Sequence, residues 1–214
     1  RNRRMRTYVG GFVKEPIAGL HEQIAVVDFK SLYPTIIASF NISPETLDCD
    51  CCKGKAKVVP ETKHWICEKR RGFVSEVIKE LVERRSEIKK KMKKLDKKSL
   101  EYRLLDAQQY ALKIIANACY GMFGFAGARY YCHACAEVTA ALGRHWIRKI
   151  IKLAEENSFL VIYGDTDSCF LKSKEKLSDE DFKRKVLSFL ELVNKQLPGI
   201  MRLDLQGFYK RGIF

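Results

Sequence analysis

Three short apolar runs, Ile24-Ala25-Val26-Val27, Phe159-Leu160-Val161-Ile162 and Cys169-Phe170-Leu171, have the length of buried strands. The last two flank Tyr163-Gly164-Asp165-Thr166-Asp167-Ser168, a pattern that predicts strand, tight turn, strand, with two carboxylates at a hairpin tip. The first run delivers Asp28 and is followed by Pro34, which suits the first turn of a helix because its missing N–H costs nothing there. From Gly72, apolar residues Phe73, Val77, Ile78, Leu81, Ile88, Met92 and Leu95 recur at helical spacing. A break at Lys97-Lys98-Ser99 follows, with Ser99 as N-cap of a second helix from Leu100 to about Tyr120. These two predict an antiparallel helical hairpin. An Ala-rich helix containing Trp146 is expected over 134–157. Ser178 opens another, with Asp181 as a capping-box acid and Pro198-Gly199 as its end. Arg202 to Gln206 and Phe208 to Phe214 read as two final strands. Strands far apart in sequence, packed with helices, make the expected class α+β. The chain shows no internal repeat, no low-complexity run, no membrane-length apolar stretch, and no secretory signal before the first strand.

Charge adds a partner class. Lys and Arg number 40 against 26 Asp and Glu, a net charge of +14. Residues 69–98 carry 13 basic and 5 acidic side chains, 13 − 5 = +8 of that total. A basic excess of this size suits a polyphosphate or a nucleic-acid backbone. Part of it is ordinary helix surface, as the i, i+4 pair Glu87/Lys91 indicates. A basic arm, Arg1-Asn2-Arg3-Arg4, opens the chain.

Candidate chemistry begins with the hairpin tip. Asp165 and Asp167 repel each other unless a positive charge lies beside them, and a divalent ion with oxygen ligands is the natural one. A two-metal phosphoryl-transfer site needs carboxylate from elsewhere, which Asp28 supplies. The backbone N–H groups of Ser31, Leu32 and Tyr33 fall near a helix N-terminus, a setting for a triphosphate. Lys113, Asn117 and Tyr120 share one helix face and present a cation with polar and stacking groups. The Gly pair of Tyr8-Val9-Gly10-Gly11 marks a turn or a close approach of a nucleic-acid strand. Eight cysteines include Cys49, Cys51, Cys52 and Cys67 in one loop and Cys132-His133-Ala134-Cys135 in another, with zinc sites and disulfides both open. Cys119 and Cys169 read as small buried hydrophobes.

The four segments, in this order, resemble the polymerase core of family B DNA polymerases, most like the archaeal replicative branch. Tyr8 to Gly11 is similar to the family's Y-x-G-G element. Asp28 to Ile37 resembles motif A, D-x-x-S-L-Y-P-S-I-I, with Thr35 in place of Ser. Lys113 to Gly121 resembles motif B, K-x-x-x-N-x-x-Y-G, and Tyr163 to Ser168 resembles motif C, Y-G-D-T-D-S.

The resemblance implies a palm, an antiparallel sheet with packed helices, over 1–71 and 125–214, and an inserted fingers hairpin over 72–124. It implies a DNA-directed DNA polymerase that adds deoxynucleotides to a primer 3′-OH, with pyrophosphate leaving in line. Asp28 and Asp167 would hold two Mg²⁺, for which Mn²⁺ can substitute, with Asp165 beside them. One ion would activate the 3′-OH and the other would stabilise the leaving oxygens. Backbone at Ser31 and Leu32 would hold the triphosphate, and Tyr33 would exclude a ribose 2′-OH. Arg85 and Lys113 would contact phosphate, and Asn117 and Tyr120 would line the nascent base pair. Tyr8, Gly10, Gly11, Gly121 and Thr166 would lie along the DNA. The cysteine pairs Cys52/Cys67 and Cys132/Cys135 would match two disulfides of hyperthermophilic relatives. Implied partners are primer–template DNA, dNTPs, exonuclease and thumb regions not present in this chain, and a sliding clamp. The implied setting is cytoplasmic and nucleoid-associated, with no membrane. Exonuclease carboxylates and a thumb lie outside the sequence, so a piece of a longer product is expected. The contrasting expectation is a non-catalytic template–primer scaffold, against which Asp28 and Asp167 stand. A reverse transcriptase is disfavoured because its hairpin carries adjacent aspartates.

Overall fold

The computed structural model describes residues 6–214; the basic arm Arg1–Arg4 lies outside the described residues. In chain order the elements are β1 (Val13–Lys14), β2 (Leu20–Phe29), α1 (Leu32–Ser39), a 3₁₀ turn (Asp50–Cys52), α2 (Phe73–Met92), α3 (Leu100–Gly124), α4 (His133–Glu156), β3 (Phe159–Asp165), β4 (Ser168–Ser173), α5 (Asp179–Gln196) and β5 (Leu203–Ile213). The class is α+β, with one five-stranded sheet in the order β1-β3-β4-β2-β5. Every pairing in it is antiparallel. Backbone contacts divide the chain into two compact units, 1–8 with 33–139, and 9–32 with 140–214.

The sheet belongs to the second unit. Alternation along β2 puts Ala25 and Val27 on one face and Ile24, Val26 and Asp28 on the other. The first face is closed by helices: Phe159 packs on Phe189 of α5, and Phe182 of α5 packs on Phe208 of β5, with ring centroids 5.2 and 5.8 Å apart. On the second face Ile24, Val26 and Ile162 form a small cluster under Phe170 and Phe214. Asp28 therefore ends an apolar stripe at the rim of a sheet, where a carboxylate is brought to the surface by strand period alone.

The first unit holds the long helical pair. Ser99 caps α3 as expected, its Oγ accepting from Tyr102 N at 3.1 Å. Arg85 Nε of α2 donates to Gln109 Oε1 of α3 at 3.1 Å, tying the two helices side by side. The buried face of α2 is Val74, Ser75, Ile78, Ile88 and Met92, while Phe73 and Val77 are exposed. The expected stripe is rotated because the first turn is fixed by the preceding loop: Val74 N donates to Ser43 Oγ at 3.2 Å, and Ser75 Oγ donates to Ala38 O at 3.4 Å. The helix α3 runs on to Gly124, beyond the expected end near Tyr120, because fully buried Phe123 anchors its last turn.

The C-terminal strand differs from expectation. In place of two strands there is one, β5, paired along β2 from end to end. Val26 faces Gly207 and Val27 faces Leu205, so Gln206 is an extra, bulged residue. A bulge absorbs one unpaired residue without ending the ladder, and the apparent break around Gly207 is that bulge.

Candidate functional site

The β3–β4 hairpin brings its tip against the end of β2. Asp28 pairs in register with Ser168 on one side and with Asp204 on the other. Phe29 N donates to Asp167 O at 2.9 Å, which seats Asp167 beside Asp28. The carboxyl of Asp167 is pushed up to about 6, first by burial and then by the nearby charges of Asp28 and Asp165. Asp28 Oδ2 accepts from Gln206 Nε2 at 2.5 Å. Asp165 accepts from Thr166 Oγ1 at 2.8 Å on Oδ1 and from the Tyr163 hydroxyl at 3.4 Å on Oδ2. Three half-buried carboxylates thus share one end of the sheet. Mutual repulsion and hard oxygen donors make the set fit a divalent cation such as Mg²⁺.

The tip is held in an unusual conformation. Thr166 has a φ of 51°, in the left-handed region, and its N–H donates to Phe12 O at 2.8 Å. Gly11 packs against it so closely that a Cβ there would lie 2.4 Å from Thr166 Oγ1. The residues Val9 and Gly10 are pinned in turn by Arg144 of α4, whose Nη1 donates to their carbonyls at 2.6 and 2.8 Å. Arg144 is almost fully buried. The glycine pair and the acidic hairpin are therefore one packed assembly within the second unit.

Sequence reasoning missed two residues here. Gln206 carries no local signal, since only pairing with β2 reveals that it is bulged. Arg144 does carry one: it is the lone charge on the face Ala136, Ala140, Ile147, Ile151, all buried.

Ser31, just before α1, has a φ of 51°, and α1 begins at Leu32 with Pro34 inside its first turn, as expected. In the first unit, Tyr33 of α1 stacks on Tyr120 of α3, with centroids 4.3 Å apart and rings 19° from parallel. The Tyr120 hydroxyl is 3.2 Å from that of Tyr8. Tyr8 lies along the last turn of α3, where a Cβ on Gly124 would meet its hydroxyl at 3.0 Å. Lys113, Asn117 and Gly121 are exposed on α3. Arg85 is turned toward α3, and burial lowers its pKa, whereas Arg84 is exposed. All eight cysteines are free. The Cys52 and Cys67 sulfurs are 3.9 Å apart, so this expected pair is not bonded. Cys132 and Cys135 are not bonded either; the Cys135 thiol hydrogen-bonds the Cys132 sulfur and pulls it down to about 7.

Comparison with known proteins decides the family. The sequence matches the profile of DNA polymerase family B over residues 1–214. The chain belongs to DNA polymerase family B. This family B chain is 45% identical over 214 residues to a DNA polymerase of Pyrococcus glycovorans, covering 99% of the chain and 27% of that protein. It is 41% identical to a DNA polymerase of Archaeoglobus fulgidus over 210 residues, 97% of the chain and 25% of that protein. Its fold matches the family B DNA polymerase from the hyperthermophilic archaeon Pyrobaculum calidifontis with a TM-score of 0.74 and 35% identity, covering 100% of the chain and 27% of that one. The family B chain thus spans about a quarter of the length of these relatives. Among the described residues no helix is long and apolar enough to cross a membrane.

Proposed function

We propose that this chain carries the nucleotidyl-transfer centre of a DNA-directed DNA polymerase. The observation that supports this most is the register that places Asp28 opposite the hairpin of Asp165 and Asp167. Asp28 and Asp167 would hold two Mg²⁺ ions, or Mn²⁺ in their place, with Asp165 at the side. Bound there, such ions would lower the pKa of a primer 3′-OH and neutralise charge on departing pyrophosphate. Gln206 orients the Asp28 carboxylate, and the Gly11–Thr166 contact fixes the tip that carries Asp167. Backbone at Ser31 and Leu32, and the side chains of Lys113 and Arg85, receive triphosphate oxygens and offset the charge that develops there. Tyr33, braced by its stack on Tyr120, excludes a ribose 2′-OH, and Asn117 lies beside the incoming base. Tyr8, Gly10, Gly121 and Thr166 follow the DNA strand. The helical hairpin α2–α3 serves as fingers and the sheet as palm. Primer–template DNA and dNTPs are the substrates, in the cytoplasm and at the nucleoid. Exonuclease and thumb regions and a sliding clamp are the further partners that this reading implies.

The test is primer extension at low salt with Mg²⁺ and all four dNTPs, run beside Asp167→Ala. Extension by the chain and none by the variant is the expected result. Equal extension by both overturns the assignment of Asp167. Extension by neither overturns the sufficiency of this chain for nucleotidyl transfer.

A further inference from the structure

The loop between α1 and α2 gathers four sulfurs at one point. Cys49, Cys51, Cys52 and Cys67 place their Sγ atoms all within 4.8 Å of one another. The separations are 3.5 Å for Cys49–Cys51, 3.7 Å for Cys51–Cys52, 3.6 Å for Cys51–Cys67 and 3.9 Å for Cys52–Cys67. Zn–S bonds of about 2.3 Å in a tetrahedron put ligand sulfurs about 3.8 Å apart. A disulfide would instead draw two sulfurs to about 2.05 Å and leave the other pair idle. An iron–sulfur cluster spreads its thiolates over several irons and so needs them further apart than a single ion does.

We propose that Cys49, Cys51, Cys52 and Cys67 form a structural zinc site with four thiolate ligands. Two backbone turns present the ligands. Cys49 and Cys52 stand in C-x-x-C spacing around the 3₁₀ turn Asp50–Cys52, and the Cys52 N–H donates to the Cys49 carbonyl at 3.3 Å, closing that turn. Cys67 begins the second turn and brings the fourth sulfur from 15 residues beyond Cys52.

The surroundings lock the two turns together. Cys67 N donates to Thr46 O at 2.7 Å, Asp48 N donates to Trp65 O at 3.0 Å, and Trp65 Nε1 donates to Cys49 O at 3.0 Å. Asn41 Nδ2 donates to the carbonyls of Cys67 and Arg70, at 3.0 and 2.9 Å. Cys49, Cys52 and Cys67 are buried with Ala56 and Trp65 packed on them, and Cys51 closes the site from the solvent side. On metal binding the four thiols release four protons and leave a site of net charge −2. Residues 49–71 carry seven Lys and Arg against three acids, a local excess that suits that charge. The inference is independent of the polymerase reading.

The experiment uses the full chain purified with a non-chelating reductant, with metal measured by plasma mass spectrometry and by native mass spectrometry. About one zinc per chain is expected, with the mass raised by one zinc less the protons displaced. Cobalt substitution should give the intense visible bands and thiolate charge-transfer absorption of a tetrahedral tetrathiolate. Because the buried cysteines are risky to change, exposed Cys51→Ser is the main variant; it should weaken Co²⁺ binding about 10-fold or more, while Cys119→Ser leaves it unchanged. Zinc far below one per chain overturns the proposal, as does a metal-free chain two hydrogens lighter, which marks a disulfide. Unchanged cobalt affinity in Cys51→Ser overturns it as well.

Discussion

Asp167 sits half-buried beside Asp28, and its carboxyl is held at about 6, by burial first and then by the charges of Asp28 and Asp165. An unfolded aspartate titrates near 4. The folded protein therefore binds more protons than the unfolded chain between about pH 4 and about 6, and stability contributed at this residue falls as pH rises through that window. In Mg²⁺-free buffer, Asp167→Asn is expected to be about 1 kcal/mol more stable than the parent at pH 7, the half-buried position tempering the full shift. The difference should vanish near pH 4, and melting curves at the two pH values check it. Gln206 gives a second prediction at this scale. Its amide fixes Asp28 through Oδ2, and loss of such an outer contact typically weakens a metal site 10–100-fold. Gln206→Ala is expected to lower Mn²⁺ affinity about 10-fold by calorimetry, with melting temperature little changed because the side chain is exposed.

At the scale of elements, the acidic hairpin depends on a glycine far from it in sequence. Alanine at Gly11 would place its Cβ 2.4 Å from Thr166 Oγ1, whereas nothing lies within 4 Å of a Cβ on Gly10. Gly11→Ala is expected to cost about 1–3 kcal/mol in urea unfolding, and Gly10→Ala close to nothing. Elements whose signals are local were legible in the sequence. Ser99 and Ser178 cap α3 and α5 because a hydroxyl and an N–H three residues on are enough to start a helix. The β3–β4 hairpin was legible because its turn residues and flanking apolar runs are contiguous. The unity of β5 was not, because the bulge at Gln206 exists only relative to β2. The rotated face of α2 was hidden for the same reason: apolar spacing shows that a helix has a stripe, while Ser43 and Ala38 decide which residues turn inward.

At the scale of the whole molecule, a net charge of +14 suits a phosphate backbone, and the proposed binding to DNA would carry strong salt dependence. Affinity for a labelled primer–template is expected to fall at least about 100-fold between about 50 and about 200 mM salt, as followed by fluorescence anisotropy. A flat response would remove the backbone-binding role assigned to that charge. The motifs, their order and the caps were determined by the sequence itself, because each is a matter of residue type and short spacing. So was the identity of Asp28, Asp165 and Asp167 as candidate ligands. Only the tertiary structure decided that Asp28 meets the hairpin tip, that Gly11 supports Thr166 and that Arg144 pins Val9 and Gly10. It also decided that four cysteine sulfurs converge on one point. Each of these rests on residues distant in the chain, and for Asp28 a one-residue change of strand register would turn the side chain to the other face of the sheet.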